Sequence, residues 1–200
     1  MHENTDVDAV QQDKRIKMLK NVFLQGDRVI IRNIKKDDYG ALTSLFSDKN
    51  VMYYYLPGKL QTFAGSELED LMDDWNDMNT AFLFTVLCEK NVVGLISCES
   101  IDFDMGHLEC GIALINSAAR GRGLATEAMT VFIDYLFKNL GLHRINARII
   151  SGNETSARLF RRLGFKLEGR QREYVRRDSL YLDMNLFGLL AHEWQPLNST

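Results

Sequence analysis

The second half of the chain alternates strand-like and helix-like segments, and this order restricts the possible folds more than any other feature. The runs "HLECGIALI" and "HRINARII" read as strands, and helical patterns follow them over 124–140 and 153–163. Gly141 and Gly164 stand where helices commonly end. "FKLEG" and "SLYLDMNLF" read as the closing strands. We therefore predict a β-α-β-α-β second half.

The first half shows the pattern of antiparallel pairing. "VFLQGDRVIIRNI" reads as two short strands around a Gly-Asp turn, and "FLFTVLCEKNVVGLISCESI" as a hairpin turning at Glu-Lys-Asn. A helix over 36–47 has Leu42, Leu45 and Phe46 on one face, and a second helix begins at Ser66, whose spacing to Glu69 predicts a capping box. The prediction is one α+β domain with a mixed central β-sheet flanked by helices.

The domain is expected to span residues 21–195, since no repeat, low-complexity tract or linker interrupts it. Residues 1–20 are polar and weakly patterned, which predicts either a mobile arm or a loosely docked helix.

Composition excludes several classes of function. A net charge of −3 and a pI near 5.8 argue against nucleic-acid binding. No apolar run approaches the roughly 20 residues of a membrane span, and the N-terminus has no signal-like apolar segment. Cys88, Cys98 and Cys110 lack metal-ligand or disulfide spacing, and His107 has no partner at such a spacing. A soluble cytoplasmic protein without a metal site is expected.

The stretch "INSAARGRGLATEAM" places two arginines and two glycines between a strand and a helix. A helix N-terminus binds phosphate well, and Gly121 and Gly123 leave room for an anion at the backbone. The alternative is a tight turn with solvated arginines. The stretch is neither a P-loop nor a dinucleotide-binding turn, because Thr126 replaces the third glycine of the latter.

Two segments resemble the GNAT family of N-acetyltransferases. "RGRGLA" (120–125) matches the family's R/Q-x-x-G-x-G/A signature, and "NETSARLFRRLGFKLEG" (153–169) resembles its second cofactor segment. The resemblance implies acetyl-CoA as co-substrate, held without a metal. The cofactor residues that it implies are Ile112, Leu114 and Ile115 on a strand edge, the loop and helix start Arg120, Gly121, Arg122, Gly123, Leu124, Ala125 and Thr126, and Asn153 and Arg158 on the later helix.

The resemblance also implies catalytic residues. Glu109 matches a strand glutamate that draws the amine proton through water, although pairing with a cation is the alternative. Ser156 matches a serine near the departing thiolate, or else is a first-turn helix serine. Many members have a tyrosine where this chain has Phe160, so Ser156 or Tyr174 is expected to act as the acid, unless the thiolate leaves without one.

These segments look most like the branch that acetylates N-terminal amines of ribosomal proteins, with polyamine acetyltransferases as close relatives. We therefore expect direct acetyl transfer to a primary amine in a ternary complex, by a monomer or homodimer with no nucleic-acid or membrane partner. A small cationic amine as acceptor and a silent acyl-CoA-binding module are the alternatives. The acidic residues over 66–77 either attract a cationic acceptor or form a solvated face.

Overall fold

The computed structural model describes residues 4–115 and 121–197, with side chains from residue 10 onward. The strands are β1 Phe23–Gln25, β2 Val29–Asn33, β3 Phe82–Cys88, β4 Asn91–Asp102, β5 His107–Leu114, β6 Arg144–Ile150, β7 Lys166–Arg177 and β8 Leu180–Leu190. The helices are α1 Asn4–Leu19, α2 Tyr39–Phe46, α3 Lys49–Tyr55, α4 Ser66–Trp75, α5 Leu124–Lys138 and α6 Glu154–Arg162. Short 3₁₀ turns cover Lys36–Asp38 and Ala191–Glu193.

All the described strands form one sheet in the order β1-β2-β3-β4-β5-β6-β8-β7. Neighbouring strands pair antiparallel except β5 and β6, which are parallel because α5 crosses over between them. The prediction of a mixed sheet flanked by helices is confirmed. The ladder between β5 and β6 covers 107–109 against 144–146, and no described residue beyond Glu109 continues it.

The helices pack on both faces of the sheet, and β3 shows why its sequence is almost continuously apolar. Phe84 faces α5 and lies 5.0 Å from the ring of Phe132, while Leu83 packs with Leu42 of α2 on the opposite face. All of these side chains are fully buried. The predicted inward face of the helix over 36–47 is confirmed, with Lys36–Asp38 forming its first turn.

The predicted capping box at Ser66 is wrong. Gly65 occupies the cap position with φ of 56°, and no side chain caps this helix. Ser66 already lies in the first turn of α4, so its hydroxyl cannot serve as the cap. The inward stripe of α4 is correct at Leu68 and Met72, which are buried.

Of the two alternatives for the N-terminal segment, the structure contains the helix. Its end, in α1, contacts the core through the fully buried Leu19 and through a 3.1 Å bond from Arg15 to the Phe103 carbonyl. Strand β7 runs well beyond "FKLEG", to Arg177. It lies at the edge of the sheet, so its side chains are mostly exposed and show no apolar alternation.

Candidate active site

A large cavity opens where β5 and β6 cease to pair. It has a volume of about 1080 Å³, and the separated strands supply two of its walls, at 110–114 and 148–150. The start of α5, the start of α6, α3 with the residues that follow it, Trp75 of α4 and part of β4 contribute further lining. The divergence of two parallel strands therefore creates the space for a ligand within an otherwise packed sheet.

The glycine-rich stretch forms one end of this cavity. Gly121 and Gly123 have φ angles of 75° and 78°, and a Cβ at Gly121 would meet nothing within 4 Å. Gly123 precedes the first residue of α5, so the amides at the start of this helix have no partner within it. Gly121, Gly123 and the residues 124–126 line the cavity, as expected for a cradle that accepts a phosphate group. Arg120 lies outside the described residues.

A side chain from the opposite end of the sequence holds this loop. Arg28, in the β1–β2 turn, donates from Nε to the Glu127 carboxylate at 2.7 Å and from Nη1 to the Arg122 carbonyl at 2.9 Å. The ion pair offsets a carboxylate that would otherwise repel an anion at the start of α5. Arg122 itself does not line the cavity. No local motif links Arg28 to the loop, so the sequence alone did not identify it.

The start of α6 forms the neighbouring wall. Asn153 caps the helix, because its Oδ1 accepts the backbone N–H of Ser156 at 3.2 Å. Asn153, Ser156 and Arg158 all line the cavity, as does Arg162. Capping does not exclude a ligand-binding role for Asn153, since its side-chain amide also carries two N–H donors.

Glu109 is paired with a cation. Arg148 of β6 donates from Nε to both carboxylate oxygens, at 2.9 and 2.7 Å, and both residues line the cavity. Of the two alternatives for Glu109, the structure therefore contains the ion pair.

Glu99 is a second carboxylate in the cavity wall, and sequence reasoning missed it. It lies directly opposite Glu109 in the β4–β5 ladder, where burial and the nearby Glu109 carboxylate raise its pKa. Ser100 follows with a φ of 50°, and the strand register shifts just beyond Glu99. The alignment of Glu99 with Glu109 across β4 and β5 is the signal that could have identified it. Using that signal requires the register of these two strands, which the sequence alone does not provide.

The end of the cavity away from the glycine loop is aromatic. Tyr54, Tyr55 and Trp75 line it together with Ser97 and Glu99. The Tyr55 hydroxyl and the Trp75 indole nitrogen are buried, and neither makes a well-aligned hydrogen bond within the described part of the chain, although Ser97 interacts with the hydroxyl and the Glu99 carboxylate with the indole N–H. Burial also raises the pKa of Tyr55, so its hydroxyl remains protonated. These are polar groups that a ligand would satisfy.

Several expected residues do not reach the cavity. Ile115 does not line it, because its N–H donates to the Val93 carbonyl at 2.9 Å and so continues the pairing with β4. Tyr174 lies in a bulged part of the edge strand, is 50% exposed and does not line the cavity either. The acidic residues of 66–77 are also absent from the lining. Asp73 instead binds the Tyr39 hydroxyl and Lys36.

The model of the acetyltransferase (GNAT) domain matches residues 28–166, which include the glycine loop and the start of α6. The chain belongs to the GNAT acetyltransferase family. It is an N-acetyltransferase that uses acetyl-CoA as co-substrate.

Individual relatives of this acetyltransferase differ in their named acceptors. It is 29% identical to the ribosomal protein uS5-alanine N-acetyltransferase of Escherichia coli, over 88% of this chain and 94% of that protein. It is also 29% identical to the spermidine N(1)-acetyltransferase of the same organism, over 70% of this chain and 74% of that protein. The solved spermidine N-acetyltransferase of Vibrio cholerae, in complex with CoA and spermine, has the same fold, with a TM-score of 0.72, 24% identity and coverage of 83% and 97%.

Phe160 distinguishes this acetyltransferase from members with a tyrosine at that position. Its ring is 2% exposed, lines the cavity and packs edge-on against Phe165 at 4.9 Å. A phenyl ring has no proton to give a departing thiolate. Among the described residues, no helix is long and apolar enough to cross a membrane, and no cluster of three metal-ligating side chains occurs.

Proposed function

We propose that this acetyltransferase modifies the N-terminal α-amine of a protein, by direct attack of the amine within a ternary complex. One observation carries the proposal, namely that the buried Trp75 N–H makes no well-aligned hydrogen bond in the aromatic end of the cavity, where the Glu99 carboxylate is a neighbouring acceptor. An indole nitrogen is a donor only, so it requires an acceptor atom. A peptide N-terminus carries a carbonyl oxygen beside its amine, whereas a protonated polyamine carries donors alone.

The charges of the same region support an acceptor with one positive charge. Glu99 and Glu109 contribute two carboxylates, and Arg148 offsets one of them through its ion pair. One net negative charge suits a single ammonium group. A polyamine, with several ammonium groups, is better matched by more carboxylates than this cavity wall provides.

Different residues are proposed to serve the cofactor and the chemistry. Bound acetyl-CoA supplies an activated acetyl group, with its pyrophosphate at Gly121, Gly123 and the start of α5 and its extended arm along β5 at Ile112 and Leu114. Asn153 contacts that arm, and Arg158 and Arg162 approach the outer phosphate. Their positions around one cavity support these roles.

Glu99 is the proposed proton acceptor, directly or through water. Its raised pKa makes it a better base than an ordinary carboxylate, while Glu109 is held by Arg148. Glu109 is then proposed to hold Arg148 in place through their ion pair and so to set the net charge beside Glu99. Ser156 is the proposed group beside the departing thiolate, because it lines the cavity and Tyr174 does not.

We further propose that residues 21–195 form the catalytic domain and that it acts in the cytoplasm. Three buried cysteines with free thiols support the second point, since a reducing compartment keeps such thiols unpaired.

An acceptor panel tests the proposal. Hexapeptides with N-terminal alanine or serine, alaninamide, isopropylamine and spermidine would each be incubated with acetyl-CoA while released CoA thiol is measured. We expect the peptides to have the highest kcat/KM, and alaninamide to exceed isopropylamine once rates are corrected for the fraction of neutral amine. Trp75→Phe removes the indole N–H and should lower kcat/KM for the peptides while leaving that for spermidine unchanged.

Acetylation of polyamines is the second candidate, favoured by the spermidine acetyltransferase relative at 29% identity. A preference for spermidine that Trp75→Phe leaves unaltered would establish it in place of the peptide proposal. Binding of CoA without turnover of any amine in the panel would instead indicate an acyl-CoA-binding module.

A further inference from the structure

Arg177, the last residue of β7, is an arginine buried in an unusual way. Its side chain is fully inaccessible, and it forms no salt bridge with a described carboxylate. Its guanidinium group instead donates to backbone carbonyls. Nε donates to the Tyr53 carbonyl at 2.6 Å, Nη1 to the Gly58 carbonyl at 2.9 Å, and Nη2 to the Leu56 carbonyl. A buried cation without a carboxylate is costly, and these hydrogen bonds to carbonyls offset that cost.

The carbonyls that Arg177 binds lie at the end of a helix. Helix α3 finishes at Tyr55, and the last carbonyls of a helix lack partners and carry partial negative charge. Tyr53 lies in the last turn of α3, Leu56 is its C-cap and Gly58 lies just beyond it. The planar guanidinium fork reaches all three carbonyls from separate nitrogens, whereas an ammonium group carries its donors on one atom. Its carbon Cζ also lies 5.8 Å from the centre of the Tyr53 ring.

The segment that Arg177 binds is the acceptor wall, which we define as residues 53–58. Tyr54, Tyr55, Leu56 and Pro57 of this wall line the cavity opposite Glu99. The first three residues of the wall belong to α3, a helix of only seven residues, which has little intrinsic stability. Its position therefore depends on contacts with other elements.

We propose that Arg177 is a positioning residue for the acceptor. By tying the acceptor wall to β7, it holds the Tyr55 hydroxyl and the wall's aromatic rings at a fixed distance from Glu99. The inference rests on the proposed acetyl transfer to an amine in this end of the cavity. The glycine loop lies outside this arrangement, whereas Tyr54 of the wall lies beside Gly152, just before α6, so acetyl-CoA binding should depend on Arg177 far less than acceptor binding does.

The test compares Arg177→Lys and Arg177→Met with Arg32→Lys. Arg32 is a matched control because it is also a largely buried arginine, but it pairs with Asp38 at 2.7 Å and donates to no carbonyl of the acceptor wall. A hexapeptide with N-terminal alanine is the acceptor, calorimetry gives the Kd of CoA, and hydrogen exchange reports the amides of 51–58.

We expect Arg177→Lys to raise the acceptor KM on the order of 10-fold, since small displacements in a site have large effects on productive binding. The CoA Kd should stay within about twofold, the scatter expected of a remote change. Amides of 51–58 should exchange faster than in the wild type. Arg32→Lys should lower the melting temperature without changing either the acceptor KM or exchange in 51–58.

An equal rise in KM for Arg32→Lys, or unchanged exchange in 51–58 for Arg177→Lys, would overturn the inference. If Arg177→Met does not fold, Arg177→Lys, which keeps the charge, decides the question. Should the wild type acetylate spermidine and not the peptide, the same KM comparison is made with spermidine. Exchange in 51–58 decides for or against the positioning role even where no amine is acetylated.

Discussion

The substitution Gly94→Ala tests the packing of β4 against β5, the strand that lines the cavity at 110–114. Gly94 lies in β4 opposite Leu114 of β5. A Cβ at this position would lie 2.6 Å from the Ala113 carbonyl oxygen and 2.7 Å from Leu114 Cδ2. Atoms normally approach to about 3.5 Å, so the backbones of β4 and β5 must separate by roughly 0.9 Å at Ala113, which lines the cavity.

The expected loss of stability follows from this overlap. Overpacking in a tight site costs about 1–3 kcal/mol, and the closest contact here is with backbone, which cannot rotate away. For a chain of 200 residues, each kcal/mol lowers the melting temperature by about 2–4 °C, giving a decrease of roughly 2–12 °C. Because Ala113 moves with β5, the affinity for CoA should fall as well.

Thermal unfolding and calorimetry with CoA measure both effects. Gly40→Ala is the matched control, because a Cβ at Gly40 in α2 meets nothing within 4 Å. It should raise stability by up to about 1 kcal/mol through helix propensity and leave CoA affinity unchanged. A Gly94→Ala protein with the melting temperature and CoA affinity of the wild type would refute the proposed role of this contact.

Three further substitutions separate binding from chemistry. Gly123→Asp places a carboxylate at the start of α5, so calorimetry should detect no CoA binding by the folded variant. Ser156→Ala should lower kcat while the CoA Kd stays nearly constant, as steady-state kinetics and calorimetry would show. Glu99→Gln should lower kcat by about 10²- to 10⁴-fold. In the wild type, kcat/KM should fall as the pH decreases through the raised pKa of Glu99, and a pH profile of the variant should lack this decrease.

Local sequence signals predicted the elements that are long or bounded by glycine. The helix over 124–140 and the hairpin of β3 and β4 are confirmed because their apolar periodicity extends over many residues. Helix α3 was missed because seven residues with three consecutive tyrosines show no clear period. The extension of β7 was missed because an edge strand does not require an apolar face.

The two ends of the cavity also differed in how far their residues could be predicted from the sequence. The glycine loop and the start of α6 are contiguous motifs, so their residues could be named from the sequence. The other end combines Tyr55, Trp75 and Glu99, which come from three distant segments, and Arg177 supports it from a fourth. Such a set depends on strand register and helix orientation, which a single sequence does not determine.

The continuity of the cavity has a consequence for inhibition. Because one space of about 1080 Å³ extends from Gly123 to Trp75, a compound that joins an amine covalently to CoA fits both ends at once. Such a compound loses translational and rotational freedom only once, whereas two separate molecules lose it twice. A conjugate of this kind should therefore bind more tightly than its two halves, and its amine portion would identify the preferred acceptor by competition.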